Sequence, residues 1–92
     1  MSRAFLRNAR VEAAPLNEEA ILFDPKTSKF FMLNRTSAFI WEHLSSSATA
    51  ESLTTALCMQ FDAAVPADVA RDVHSALHEM LSMELVVVGD AA

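Results

Sequence analysis

The sequence has few of the residues on which several large classes of protein depend. Its 92 residues contain one glycine and one cysteine, which excludes an internal disulfide and a glycine-rich phosphate loop. Lys and Arg number 7 against 12 Asp and Glu, giving a net charge of −5, and this balance argues against binding to a phosphate backbone. No apolar run approaches the roughly 20 residues of a membrane span, and no signal-peptide pattern follows the basic N-terminus. We therefore expect a cytoplasmic protein that binds neither nucleic acid nor membrane.

Apolar residues, by contrast, are abundant. They make up 52% of the chain, a share that suits a compact globule rather than a disordered segment. A chain of this length is enough for one domain and too short for two. We predict a single domain over residues 1–92, with its core at about residues 9–88 and flexible termini.

The clearest local pattern is a pair of apolar runs on either side of a polar, turn-prone segment. The runs are residues 20–23 and 30–33, and they predict a β-hairpin. If Asp24 lies opposite Lys29 as a cross-strand charge pair, both faces of the hairpin are apolar, because side chains alternate along a strand. Ala20, Leu22, Phe31 and Leu33 then share one face, and Ile21, Phe23, Phe30 and Met32 share the other. A small antiparallel sheet usually has one polar face, so the second face needs a cover: the chain's own helices, a second copy in a homodimer, or a ligand.

The rest of the chain predicts one more strand and three helices. Residues 10–14 alternate weakly and predict a strand before the hairpin, whereas residues 1–8 show no pattern and are expected to fray. Asn34 and Thr49 are typical N-caps for a first and a second helix, and Pro66 suits the first turn of a third. The order is a three-stranded antiparallel sheet followed by three helices, an α+β fold of the winged helix-turn-helix kind.

Apolar stripes at helical spacing mark the inner sides of the later helices. In the second helix the inward residues are Leu53, Ala56, Leu57 and Phe61. In the third, which is expected to end at about residue 84, they are Val69, Val73, Ala76, Leu77 and Met80. The β-branched run at residues 85–88 is expected to add a short strand or to pack back on the core.

No set of residues predicts catalysis. His74 and His78 stand four apart on the third helix, a spacing that can hold a metal, but no nearby carboxylate completes a zinc-hydrolase pattern. Cys58 lies in an apolar helical segment, where a packed thiol is the usual outcome. We predict a protein with no catalytic residue, no metal site and no cofactor.

Three segments, taken together, resemble the PqqD-like family. They are AILFD at residues 20–24, FFMLN at 30–34 and TSAFIW at 36–41. Residues 49–53 resemble the start of the family's second helix. Its third helix and terminal apolar run are matched by Asp72, Val73, Ala76, Leu77, Met80 and residues 84–86. The resemblance covers roughly residues 19–88, and within the family it is nearer to the stand-alone recognition proteins of lasso-peptide pathways, or to uncharacterised relatives, than to the pyrroloquinoline-quinone pathway protein.

The resemblance implies a function as well as the fold. Members of the family recognise the leader segment of a ribosomally synthesised precursor peptide, which a modifying enzyme such as a radical SAM enzyme or a leader protease then acts on. The leader adds as a strand beside the third strand and lies against the third helix, a mode in which backbone hydrogen bonds supply affinity. The residues expected at this peptide site are Lys29, Phe30, Phe31, Met32, Leu33, Asp72, Val73, Ala76, Leu77 and Met80.

Plainer alternatives stand beside this interpretation. Val73, Leu77 and Met80 have the spacing of ordinary core residues, whereas Asp72 is expected to be exposed and to receive a Lys or Arg of the leader. A winged-helix DNA-binding regulator is the alternative function, because the fold would allow it. The predicted third helix is acidic, however, and an acidic helix is unsuited to the major groove.

Overall fold

The computed structural model describes residues 3–60 and 65–89, which form six strands and three helices. In chain order they are β1 (Ala4–Arg7), β2 (Glu12–Leu16), β3 (Glu19–Asp24), β4 (Lys29–Leu33), α1 (Arg35–His43), β5 (Ala48–Thr49), α2 (Ala50–Gln60), α3 (Pro66–Ser82) and β6 (Val86–Gly89). The predicted α+β class is confirmed. The strands pair into two antiparallel sheets of three strands each.

The hairpin sheet has the order β2-β3-β4 and contains the three strands that the sequence predicts. β3 pairs with β4 in the predicted register over the whole length of the hairpin. β2 begins and ends two residues later than the predicted strand at 10–14, because a tight turn brings Leu16 opposite Glu19. Asn17, the first residue of that turn, takes the left-handed conformation such turns need, with a φ of 56°.

A second sheet, of order β5-β1-β6, corrects the prediction for the N-terminus. Ala4–Arg7 form its central strand and do not fray. Ala4 and Phe5 are buried, and Asn8 donates its backbone N–H to the carbonyl of Leu85 at 2.9 Å. A strand of four residues is too short to show a periodicity, and its partner β6 lies at the other end of the chain. The sequence around β1 could therefore not reveal the pairing.

The helices pack on one face of the hairpin sheet and enclose the core. Both predicted caps are confirmed: the side chain of Asn34 accepts the N–H of Ser37 at 2.9 Å, and that of Thr49 accepts the N–H of Ser52 at 3.1 Å. The predicted stripes of α2 and α3 point inward, except that Phe61 lies outside the described residues. The largest fully buried apolar side chains are Leu22, Ile40, Leu44, Leu53, Val73, Leu77, Met80, Leu85 and Val86.

Candidate functional site

β4 is an edge strand, and its neighbour among the described strands is β3. Backbone N–H and C=O groups in an antiparallel strand alternate between its two sides. β4 therefore directs a row of donors and acceptors away from β3 over Lys29–Leu33. An edge of this kind is a template for pairing with another extended chain.

The opposite edge of the sheet, β2, is poorly suited to pairing. All five of its residues are exposed, but Pro15 lacks a backbone N–H and Glu12 adds a charge to the strand. Proline and charge on an edge strand both discourage the addition of a further strand. The hairpin sheet thus has one blocked edge and one open edge, and the open edge is the strand that the sequence predicts for the peptide site.

A polar groove of about 340 Å³ adjoins the end of β4, between the start of α1 and α3. Asn34, which directly follows β4, is part of its lining and connects the groove to the open edge. The residues that line it are Asn34, Thr36, Ser37, Asp72, Ser75, Ala76 and Glu79. The groove therefore combines hydroxyl and amide groups with two carboxylates, and Ala76 leaves room in its wall.

The ten predicted site residues fall into two groups. Lys29, Phe30, Phe31, Met32, Asp72 and Ala76 are exposed or half-buried. Leu33, Val73, Leu77 and Met80 are at most 4% exposed and belong to the core. The predicted third-helix residues Val73, Leu77 and Met80 are therefore not at the surface, because α3 uses them to pack against the rest of the domain.

Sequence reasoning missed most of the groove's polar wall. Asp72, Ser75 and Glu79 lie on successive turns of α3, at the spacing that places residues on one helix face. This face lies beside the buried stripe, so extending the spacing from Asp72 would have found Ser75 and Glu79. The polar residues at the start of α1 approach α3 through the tertiary fold, which no local pattern indicates.

Asp24, at the end of β3, is a buried carboxylate, and its partner differs from the prediction. Arg10, not Lys29, forms the ion pair, donating from Nε and Nη2 to the two carboxylate oxygens at 2.9 and 3.0 Å. The backbone N–H of Lys26 donates to Oδ1 at 2.9 Å. These hydrogen bonds, above all those from Arg10, lower the pKa of Asp24 to about 2. The ionised pair fixes the turn from which β4 begins.

The second face of the hairpin sheet is exposed. Phe30 is 71% exposed, Met32 67% and Leu16 46%. Phe23 contacts Phe30 across the strands, with ring centroids 4.7 Å apart. Among the described residues, the chain's own helices leave this face open, so a second copy or a ligand remains as the cover.

Other surface features lie apart from the open edge. A cavity of about 440 Å³ lies between α1 and the β2–β3 turn, and neither β4 nor α3 contributes to its lining. His74 and His78 are both exposed. Within residues 3–60 and 65–89, no three His, Cys, Asp or Glu side chains are grouped so as to hold a metal ion. No helix in that part of the chain is long and apolar enough to cross a membrane.

These features define a small α+β domain of the winged helix-turn-helix kind, with an open edge strand beside a polar groove. Residues 19–86 match the PqqD family, described as coenzyme PQQ synthesis protein D. The chain therefore belongs to this family, and the resemblance seen in the sequence is confirmed. No match to the chain was found among curated proteins.

The fold is shared with a solved structure of TbiB1 in complex with the TbiA(beta) leader peptide. The two structures superpose with a TM-score of 0.81, over 95% of this chain and 99% of that one, at 24% sequence identity. At this identity the likeness establishes the fold.

Proposed function

We propose that this protein binds the leader segment of a ribosomally synthesised precursor peptide and presents it to a modifying enzyme, without itself catalysing the modification. The observation that carries the proposal is the open edge of β4 beside the polar groove. Membership in the PqqD family supports it. The shared fold with TbiB1, whose structure contains a leader peptide, supports it as well.

The leader binds as a fourth strand of the hairpin sheet. Backbone groups of Lys29–Leu33 pair with it, and this part of the affinity depends little on the leader's sequence. Its side chains alternate between the two faces of the extended sheet. One set faces the side on which the helices pack, where the groove between α1 and α3 opens.

Selectivity comes from that groove. Asp72 and Glu79 are exposed carboxylates in its lining, and Asn34 adds an amide. A Lys or Arg of the leader forms charge-assisted hydrogen bonds there, which are stronger than neutral ones. Phe31 and Ala76 complete the surface that the leader contacts. The buried residues Leu33, Val73, Leu77 and Met80 support the site from the core.

The enzyme served by this protein is a radical SAM enzyme or a leader protease, the two classes that the family resemblance implies, and the complex forms in the cytoplasm. A protein that carries only a recognition surface needs such a partner to complete the reaction. The DNA-binding alternative has no support from α3, whose exposed Arg71 pairs with Asp68 at 2.8 Å. The charged residues that line the groove, Asp72 and Glu79, are both acidic, which disfavours a phosphate backbone.

Titration calorimetry with the leader encoded by a short reading frame beside this gene tests the proposal. We expect a dissociation constant of about 1 μM or lower, which corresponds to roughly −8.2 kcal/mol or tighter. A scrambled leader of the same composition is the control. In NMR spectra, the leader should shift the amide signals of Lys29–Leu33 and of Asp72. No heat at high peptide concentration, or shifts confined to the β2 side of the sheet, would contradict the proposal.

A further inference from the structure

We infer that the exposed face of the hairpin sheet is the docking surface for the modifying enzyme, and that the enzyme presents there an apolar patch bordered by Lys or Arg. The inference rests on the proposed function, since it concerns the partner to which the bound leader is delivered. We call this surface the outer face. The strand register assigns to it Glu12, Ala14, Leu16, Glu19, Ile21, Phe23, Phe30 and Met32.

The centre of the outer face is one contiguous apolar patch. Across the strands, Ile21 lies between Ala14 and Met32, and Phe23 lies opposite Phe30. The patch combines two phenylalanines with a methionine, residue types that are enriched in protein interfaces. Exposed contiguous patches of this kind mark sites of interaction, because isolated domains rarely leave them uncovered.

The charges on the outer face have one sign. Glu12 and Glu19 lie at opposite ends of the patch, opposite Phe23 and Leu16 respectively, about 13 Å apart along the strands. Neither glutamate forms an ion pair with any described residue, and the face contains no Lys or Arg. A partner with cations around an apolar centre complements this pattern.

A second copy of the chain is a poorer occupant. Two-fold pairing would set the outer face against itself. Glu12 and Glu19 of both copies would then enter one interface, and the face supplies no cation to offset them. Like charges brought together at an interface weaken association. A basic-bordered enzyme surface covers the same apolar area without this repulsion.

The outer face is also continuous with the proposed leader site. A leader strand beside β4 would place alternate side chains next to Phe30 and Met32, while the others face the groove. An enzyme docked on the outer face would therefore touch the leader and the protein together. It would bind the loaded protein more tightly than the empty one, which delivers the peptide selectively.

Two matched variants, Leu16→Asp and Val88→Asp, separate enzyme docking from leader binding. Both residues are on strands and both are 46% exposed. Leu16 is on the outer face but two strands away from the leader edge, roughly 10 Å, and Val88 is on the other sheet. The enzyme encoded beside this gene is the probe, and its affinity for the leader-saturated protein is measured by biolayer interferometry.

We expect Leu16→Asp to weaken enzyme binding at least tenfold and to leave the leader's dissociation constant within twofold. Val88→Asp should change neither. The double variant Glu12→Lys/Glu19→Lys should weaken enzyme binding at least fivefold, and more at low salt than at high salt, because exposed charges are screened. Wild-type protein should bind the enzyme at least fivefold more tightly with the leader than without it.

Enzyme binding that is unchanged in Leu16→Asp, with the fold confirmed by circular dichroism, would overturn the inference and leave the proposed function intact. Failure of the wild-type protein to bind the leader would instead overturn the proposed function. Sedimentation of the wild-type protein as a dimer, and of Leu16→Asp as a monomer, would assign the outer face to a second copy and overturn the inference as well.

Discussion

The two faces of the hairpin sheet are built from similar residues but differ in burial. On the face that the helices cover, Ala20, Leu22 and Leu33 are at most 6% exposed. On the outer face, Phe30 is 71% and Met32 67% exposed, although both side chains are also large and apolar. Hydrophobicity shows that a residue needs cover, but only the tertiary fold shows whether its own chain supplies it.

This difference in burial gives the two faces of the sheet different roles. Burial of apolar area stabilises folding only where the chain's own helices remove it from water, so the covered face contributes to stability and the outer face contributes little. The apolar residues of the outer face are then available to a partner. Their effect should appear in binding measurements more than in unfolding measurements.

Paired truncations on the two faces test that division most strongly. Leu22→Ala should lower the free energy of unfolding by about 2–5 kcal/mol, because it leaves a cavity under a fully buried residue. Met32 lies on the outer face, opposite Ile21, the residue that precedes Leu22. Met32→Ala should change the free energy of unfolding by no more than about 0.5 kcal/mol. Urea denaturation followed by circular dichroism measures both. Equal losses of unfolding free energy in the two variants would mean that the outer face stabilises the fold as much as the covered face does, which would contradict the proposed division.

The ion pair at the covered side of the turn should make stability depend on acid. The pKa of Asp24 falls from 3.8 to about 2 on folding, mainly through its hydrogen bonds with Arg10. A lowered pKa stabilises the fold at pH values above that of the unfolded state, and this contribution is lost as the pH falls from about 4 through 2. The urea concentration at the midpoint of unfolding should therefore decrease as the pH is lowered over that range.

Variants of the pair supply the control for the acid prediction. Asp24→Asn should be less stable at neutral pH and should show a flatter midpoint between pH 4 and 2. Arg10→Met should lower the free energy of unfolding more at neutral pH than at low pH, since it leaves a buried, ionised carboxylate without its cation. A pH profile of Asp24→Asn that parallels that of the wild type would show that another group causes the acid sensitivity.

The groove beside the covered face provides the next test, through Asp72→Lys. If Asp72 meets a cation of the leader, the variant should weaken leader binding at least tenfold, since a hydrogen bond to a charged group contributes about 1.5–3 kcal/mol. Its stability should change by no more than about 0.5 kcal/mol, because Asp72 is exposed. Asp68→Lys, on the same helix but outside the groove, is the control. Unchanged affinity in titration calorimetry would remove Asp72 from the site.

The sequence predicted the features that neighbouring residues determine. The register of β3 with β4 follows from two apolar runs and the turn between them, and the caps at Asn34 and Thr49 act within three residues. The open edge followed from the same hairpin together with the family resemblance. These parts could be predicted because the interacting residues are close in the chain.

The features that were missed connect distant residues. β1 pairs with β6 from the opposite end of the chain, and Arg10 reaches Asp24 from outside the hairpin. The groove forms where α1 and α3 meet, so only Asp72 and Ala76 of its lining were among the predicted site residues. In each case the packing of separate elements decided the contact, and no local pattern indicates it.

The ring pair on the outer face should give the smallest effect. Phe23 and Phe30 lie directly across the strands, with centroids 4.7 Å apart and planes tilted by 40°. Cross-strand pairs contribute about 0.2–1 kcal/mol, and the exposure of Phe30 favours the lower part of that range. A double-mutant cycle with Phe23→Leu and Phe30→Leu should therefore measure a coupling of about 0.5 kcal/mol in unfolding. A coupling above about 1.5 kcal/mol would mean that these rings stabilise the fold. A small coupling, together with a large loss of enzyme binding in Phe30→Leu, would place their role in the partner interface.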